Sequence, residues 1–307
     1  MKQKAATVVC TSLAMFAFAG NSVLCRMAFT QTRIDEASFT TIRLAAGALT
    51  LCAIVGLNAR VRVRGGGPAH TDPGPTSAGN WLSAIALFIY ASAFSFAYTH
   101  LAAATGALIL FGAVQLTMVG HGMTKGVRLR GWRLAGFVIA MAGLAALSWP
   151  GASVPPLAGA AAMFAAGVAW GVYSLRGANG AADPLRETAG NFLRSVVPAA
   201  ALSVATIASA SVDSAGVARA VASGAAASAI GYSIWYVALP LLNVATAAVV
   251  QLTVPVITAL AGLLLLDETP ALRVVLSAAT VLGGVAMVAL GSKSGHMNAP
   301  TPPRIRA

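Results

Sequence analysis

The chain reads as an all-α integral membrane protein of ten transmembrane helices, arranged as two inverted five-helix repeats around a central cavity. Three observations predict this. The 307 residues are 58% hydrophobic and only 9% charged, against about 25% charged in a soluble domain, and mean hydropathy is +0.79. Apolar runs near the length of about 20 residues that spans a bilayer recur along the chain, separated by short charged or Pro/Gly-rich breaks. The two halves of the sequence also echo each other.

The first run, 7–27, follows Lys2 and Lys4 and imitates a signal peptide, with Ala17, Phe18 and Ala19 like a cleavage site. Because the numbering starts at Met1, it is expected to stay as the first helix. The second run is 37–58, and the Gly-, Pro- and Arg-rich stretch 59–79 after it reads as a mobile loop. Runs at 80–99, 103–124 and 132–149 complete the first half, 1–150. Runs at 156–176, 187–208, 216–237, 242–266 and 270–291 make the second, 151–292, and 293–307 is a polar tail expected to be disordered. Alternating ten-residue segments, the mark of a membrane barrel, do not describe these runs.

The formal charge of +12 would suit a nucleic-acid binder if it were clustered. It is distributed instead. Lys2, Lys4, Arg60, Arg62, Arg64, Lys125, Arg128, Arg130, Arg133, Arg176, Arg186, Lys293, Arg304 and Arg306 fall on one side when both termini share it, which leaves Arg33, Arg219 and Arg273 opposite. By the positive-inside rule both termini are cytoplasmic in an inner (plasma) membrane, and the expected partners are lipid and a small molecule, with no nucleic acid. Cys10, Cys25 and Cys52 lack metal-ligand spacing and read as packed, reduced thiols.

The internal echo is specific. Gln115-Leu116-Thr117 recurs as Gln251-Leu252-Thr253, Arg43 answers to Arg194, Tyr98 and Leu101 answer to Tyr236 and Leu239, and Gly143 answers to Gly284. Five is odd, so the second half enters the bilayer from the opposite face. Secondary transporters with inverted repeats place their substrate at the midplane between the halves.

Three segments carry a family resemblance: Phe16 to Arg26 (FAFAGNSVLCR), Thr41 to Leu49 (TIRLAAGAL) and Tyr236 to Glu268 (YVALPLLNVATAAVVQLTVPVITALAGLLLLDE). With Gly283 and Gly284 they resemble the drug/metabolite transporter superfamily, in particular its ten-helix EamA-type exporters, with exporters of amino acids, aromatic ones included, as the nearest neighbours. The resemblance implies peripheral fifth and tenth helices and a kinking proline at Pro255. The fourth helix departs from that pattern, carrying Val119 or Gly120 where the matching proline would stand, and Lys125-Gly126-Val127 where a Gly-Glu pair would follow.

Polar and aromatic residues deep in apolar runs are the candidate substrate contacts, because a polar group in hydrocarbon is costly unless it has a role or a partner. They are Asn21, Gln115, Gln251 and Thr253, with Tyr90, Phe94, Trp170 and Tyr173 as flat walls. The competing reading is helix-to-helix hydrogen bonding, at about 0.6 to 2 kcal/mol each, or plain core packing. Gly112, Gly120 and Pro255 are candidate hinges. Arg43 and Arg194 lie about two turns inside their helices and are expected to snorkel. All eight acidic residues fall in loops or at helix ends, which points to facilitated or exchange transport rather than proton coupling. HExxH, GxSxG, CxxC and paired intramembrane carboxylates are all missing from the sequence, so neither an enzyme nor a metal or other cofactor is expected. An organic-anion or phosphorylated-metabolite exchanger and a non-transporting scaffold are the alternatives.

Overall fold

The computed structural model describes residues 2–64, 78–125, 131–147, 155–177, 183–238, 241–242, 250–251 and 253–290. Among these, regular structure is entirely helical. The first half supplies α1 (Lys2–Gln31), α2 (Glu36–Arg64), α3 (Trp81–Tyr98), α4 (Ala103–Thr124) and α5 (Trp132–Leu147). The second supplies α6 (Leu157–Gly177), α7 (Pro184–Ala205), α8, α9 (Thr253–Leu266) and α10 (Leu272–Leu290). Helix α8 runs through three consecutive pieces, Ser214–Ala222, the π-helical turns Ser223–Ile230, and Gly231–Ala238. The predicted loop 59–79, the boundary between halves at 150/151 and the tail 293–307 lie largely or wholly outside the described residues.

Ala6–Gln31, Glu36–Arg60, Trp81–Tyr98, Ala103–Thr124 and Leu157–Gly177 are each long and apolar enough to cross a bilayer. Trp132–Gly143, Thr253–Leu266 and Leu272–Gly284 are shorter apolar helices. The acidic residues explain where several helices start. Asp35 accepts from the N–H groups of Ala37 (3.1 Å) and Ser38 (2.9 Å) ahead of α2, Asp183 from Arg186 (3.2 Å) ahead of α7, and Asp213 from Gly216 (3.0 Å) ahead of α8. Asn80 does the same for Ser83 (2.9 Å) at α3. Each cap satisfies a donor that a helix N-terminus would otherwise leave bare.

Several of the helix pairings recur when a helix is exchanged with the one five places along. Helices α2 and α7 pair, as do α5 and α10; α6 meets α3 and α4, just as α1 meets α8 and α9; α3 meets α7 as α8 meets α2. Helices α5 and α10 pack mainly on each other, away from the centre. Gly143 lies against Val281 and Thr280, and Gly284 against the backbone of Gly136 and Ala140, so two glycines matched in the sequence let these helices approach closely. The largest fully buried side chains include Trp235, Arg43, Tyr98, Tyr173, Tyr232, Phe94 and Phe192.

Candidate functional site

The site grows from α1, where a short polar step interrupts an apolar helix. Asn21 is 2% exposed. Its Nδ2 donates to the Tyr90 hydroxyl on α3 (3.2 Å), and its Oδ1 accepts from the Ser223 hydroxyl on α8 (2.6 Å). One turn earlier on α1, Phe18 meets three rings edge-on: Trp170 on α6 at 5.9 Å between centroids, and Tyr232 and Trp235 on α8 at 5.7 and 5.9 Å. Trp170 stacks closer still to Tyr232 (4.6 Å) and Tyr90 (4.9 Å). These spacings are in the range where aromatic pairs attract.

Between these groups lies a pocket lined by Phe18, Asn21, Ser22, Tyr90, Phe94, Leu110, Phe111, Trp170 and Tyr232, with a free volume of about 10 Å³. That is room for roughly one water molecule. The expected central cavity is therefore closed, because the rings of both halves occupy it. A second space of the same free volume lies toward one end of the bundle, bordered by Ser83, Tyr173, Glu187, Asn191 and Tyr236.

Arg43 corrects the sequence reading. It does not snorkel: it is 1% exposed. Its Nε donates to Ser228 and its Nη2 to the hydroxyls of Tyr90 and Tyr232, all at 3.2 Å. The guanidinium carbon stands 5.2 Å from the Tyr90 ring centre and 5.0 Å from that of Phe94, within cation–π range. Nη1 is buried without a hydrogen-bond partner. Arg194, its counterpart in the repeat, does reach toward a helix end, donating to the carbonyls of Ala78 (2.6 Å) and Gly190 (3.0 Å). The difference comes from α8, whose small residues from Ser223 to Ala229 lie over α2 and cover Arg43.

The other candidates divide. Asn21, Tyr90, Phe94 and Trp170 converge on the pocket, while Tyr173 borders the second space. Gln115 and Gln251 are buried, 4% and 3% exposed, and neither lines the pocket. Thr253 is exposed and its hydroxyl donates to the Val250 carbonyl (2.7 Å). Gly112 and Pro255 are buried, and Gly120 faces open space. His100 and His121 are exposed at helix ends. Phe18, Ser223 and Ser228 escaped the sequence reading because a lone Phe or Ser in an apolar helix carries no signal until a partner helix is known.

Both ends of the bundle are bridged. Where α1, α3 and α9 finish, Arg26 Nε donates to Glu268 Oε1 at 2.7 Å, Arg26 Nη1 donates to the Tyr98 carbonyl at 2.9 Å, and Glu268 Oε2 accepts from the Ala103 N–H at 2.7 Å. At the other end Arg176 donates to Ser83 Oγ (2.9 Å) and Asn80 Oδ1 (3.0 Å), and the Asn80 N–H donates to Asn191 (2.9 Å).

An all-helical membrane protein whose halves close around a polar, aromatic-walled centre has the build of a small-molecule transporter. Residues 157–290 match the EamA-like transporter family. Uncharacterized protein PA1977 of Pseudomonas aeruginosa is 49% identical over 282 residues, which is 92% of this chain and 94% of that protein. A solved structure described as "Crystal structure of protein" shares the fold at a TM-score of 0.65 and 19% identity, covering 94% of this chain and 99% of the other. Residues 157–290, most of the second half of the chain, thus form a domain of the EamA-like transporter family, a family of membrane transporters.

Proposed function

We propose that the protein is an alternating-access exporter of amino acids, aromatic ones included, working by facilitated or exchange transport across the bacterial inner membrane with both termini in the cytoplasm. The observation that carries this reading is the closed pocket, which both halves of the chain wall with Phe18, Tyr90, Phe94, Trp170 and Tyr232 and furnish with Asn21. Flat rings suit an aromatic side chain, and Asn21, held by Ser223 behind it, offers an uncharged amide to a polar head group. The halves 1–150 and 151–292 act as inverted repeats that rock about this pocket, with Gly112 and Gly120 in α4 and Pro255 in α9 as the points that bend.

The carboxylates support uncoupled transport. Among the described residues, Asp35, Glu36, Asp183, Glu187, Asp213, Asp267 and Glu268 all sit in links or at helix ends, so none is placed to carry a proton through the pocket. Purified protein in liposomes preloaded with unlabelled phenylalanine should take up labelled phenylalanine by counterflow, and Trp170→Ala should reduce that uptake by about tenfold or more, since losing a ring at a binding centre removes a dominant contact. Uptake that ignores preloading would refute the reading. Organic-anion exchange is the second reading, favoured by the buried charge of Arg43.

A further inference from the structure

We infer that the pocket selects its substrate through a carboxylate received by Arg43, and that the substrate needs no ammonium group. The inference rests on the transport reading above and names the part of the substrate that the site recognises.

Arginine stays charged at any physiological pH, and a buried charge without a counter-ion costs several kcal/mol. Arg43 is buried to 1% exposure, and no carboxylate among the described residues pairs with it. Its acceptors are three neutral hydroxyls at 3.2 Å, longer than the 2.7–2.9 Å of charge-assisted bonds. Of its five N–H donors, the two on Nη1 have no acceptor. The fork of Nη1 and Nη2, the face a carboxylate grips with both oxygens, is thus half empty and half held by weak acceptors.

Those acceptors place the charge at the substrate. Tyr90 and Tyr232, which hold Nη2, both line the pocket, and so does Phe94, whose ring faces the guanidinium. The cation lies one layer behind the wall. The Tyr232 hydroxyl donates to that of Tyr90 at 3.2 Å; a carboxylate that parts this pair would take the fork, and the freed hydroxyls would turn to solvate it. A flat apolar tail would then lie against Phe18 and Trp170.

The charge count sets the class. The centre holds one cation, and the carboxylates all sit elsewhere among the described residues. A monocarboxylate neutralises the centre, whereas a zwitterion brings an ammonium with no anion to meet it. A dianionic phosphate would want a second cation, and Arg194 is turned toward Ala78 and Gly190. The ligand is therefore a monocarboxylate with an aromatic or bulky apolar tail, and amino acids use the same contact.

Binding to the detergent-purified full-length protein, read by tryptophan fluorescence and by thermal stabilisation, separates the groups. The probes are phenylalanine, 3-phenylpropionate (no ammonium), 2-phenylethylamine (no carboxylate) and phenylphosphonate. We expect 3-phenylpropionate to bind at least as tightly as phenylalanine and 2-phenylethylamine to bind about tenfold more weakly or worse, because a site built for a hydrogen-bonded group rejects the analogue lacking it. Arg43→Lys keeps the charge but loses the fork, and should weaken both carboxylates by about tenfold with little change for the amine. Arg43→Gln should abolish carboxylate binding if it folds; the ligand series on the unaltered protein and Arg43→Lys carry the test if it does not. Equal binding of amine and carboxylate, tighter binding of phenylphosphonate, no binding of either carboxylate at millimolar concentration, or unchanged carboxylate affinity in Arg43→Lys would each overturn the inference. Carboxylate-selective binding without counterflow would refute transport and leave the Arg43 site standing, whereas counterflow without carboxylate selectivity would do the reverse.

Discussion

At Gly224 a side chain has no place to go: a methyl group there would overlap the Arg43 carbonyl oxygen of α2. That contact brings the π-helical turns of α8 down over Arg43 and makes the arginine a buried charge. Gly224→Ala is expected to destabilise the protein by about 1 to 3 kcal/mol, the usual cost of overpacking, visible as a lowered unfolding temperature in detergent. Unchanged stability would mean that α8 does not need this close approach. Asp35, in the link between α1 and α2, makes a different local contribution. Burial alone would raise its carboxyl pKa, but hydrogen bonds from Ser38 and from the Ser211 backbone outweigh burial and hold it below the usual value. A carboxyl depressed in the folded state stabilises above its unfolded pKa of about 3.9 and loses that contribution as pH falls through the folded pKa. Asp35→Ala should therefore cost about 1 kcal/mol at neutral pH, and the difference from the unaltered protein should shrink only under strongly acid conditions. A gap that is the same at pH 7 and pH 3 would contradict this.

Among the elements, the helices were the most legible part of the sequence, because a run of some twenty apolar residues has one economical fate in a bilayer. Predicted spans 80–99, 103–124 and 156–176 differ from α3, α4 and α6 by one residue or less at each end. Helix α8 was legible as one span but not as a π-helical one, since an extra residue per turn leaves no mark in an Ala-rich stretch; such turns recur at functional sites, and this one supplies Ser223 and Ser228. The ion pair joining α1 to the end of α9 was likewise hidden, with 242 residues separating Arg26 from Glu268. With the bonds from Arg26 to the Tyr98 carbonyl and from the Ala103 N–H to Glu268, it bridges that end of the bundle. Glu268→Gln removes a charge-assisted pair worth about 1.5 to 3 kcal/mol and should open that end more often, so that a cysteine placed at Ser22 reacts faster with a thiol reagent added from that side. An unchanged rate would assign the pair to stability alone.

For the whole molecule, the two-fold echo in the sequence matched residues between the halves but did not foretell that matched residues would differ in task. Arg43 and Arg194 match in sequence, yet one is enclosed under α8 and the other reaches a loop carbonyl. Gln115 and Gln251 match as well, and both are buried without lining the pocket. The four candidates that do converge, Asn21, Tyr90, Phe94 and Trp170, were legible because polar and aromatic groups deep in apolar runs stand out; what surrounds Arg43 depended on interhelix contacts that no single helix encodes. The proposed transport cycle requires the pocket at Asn21, Tyr90 and Trp170 to open in turn to each side of the membrane. A Ser22→Cys variant with Cys10, Cys25 and Cys52 replaced by Ala tests it in oriented vesicles with a membrane-impermeant maleimide. Labelling is expected from either side, slowed from both by phenylalanine or 3-phenylpropionate. Labelling from one side only, or labelling that neither compound slows, would contradict it.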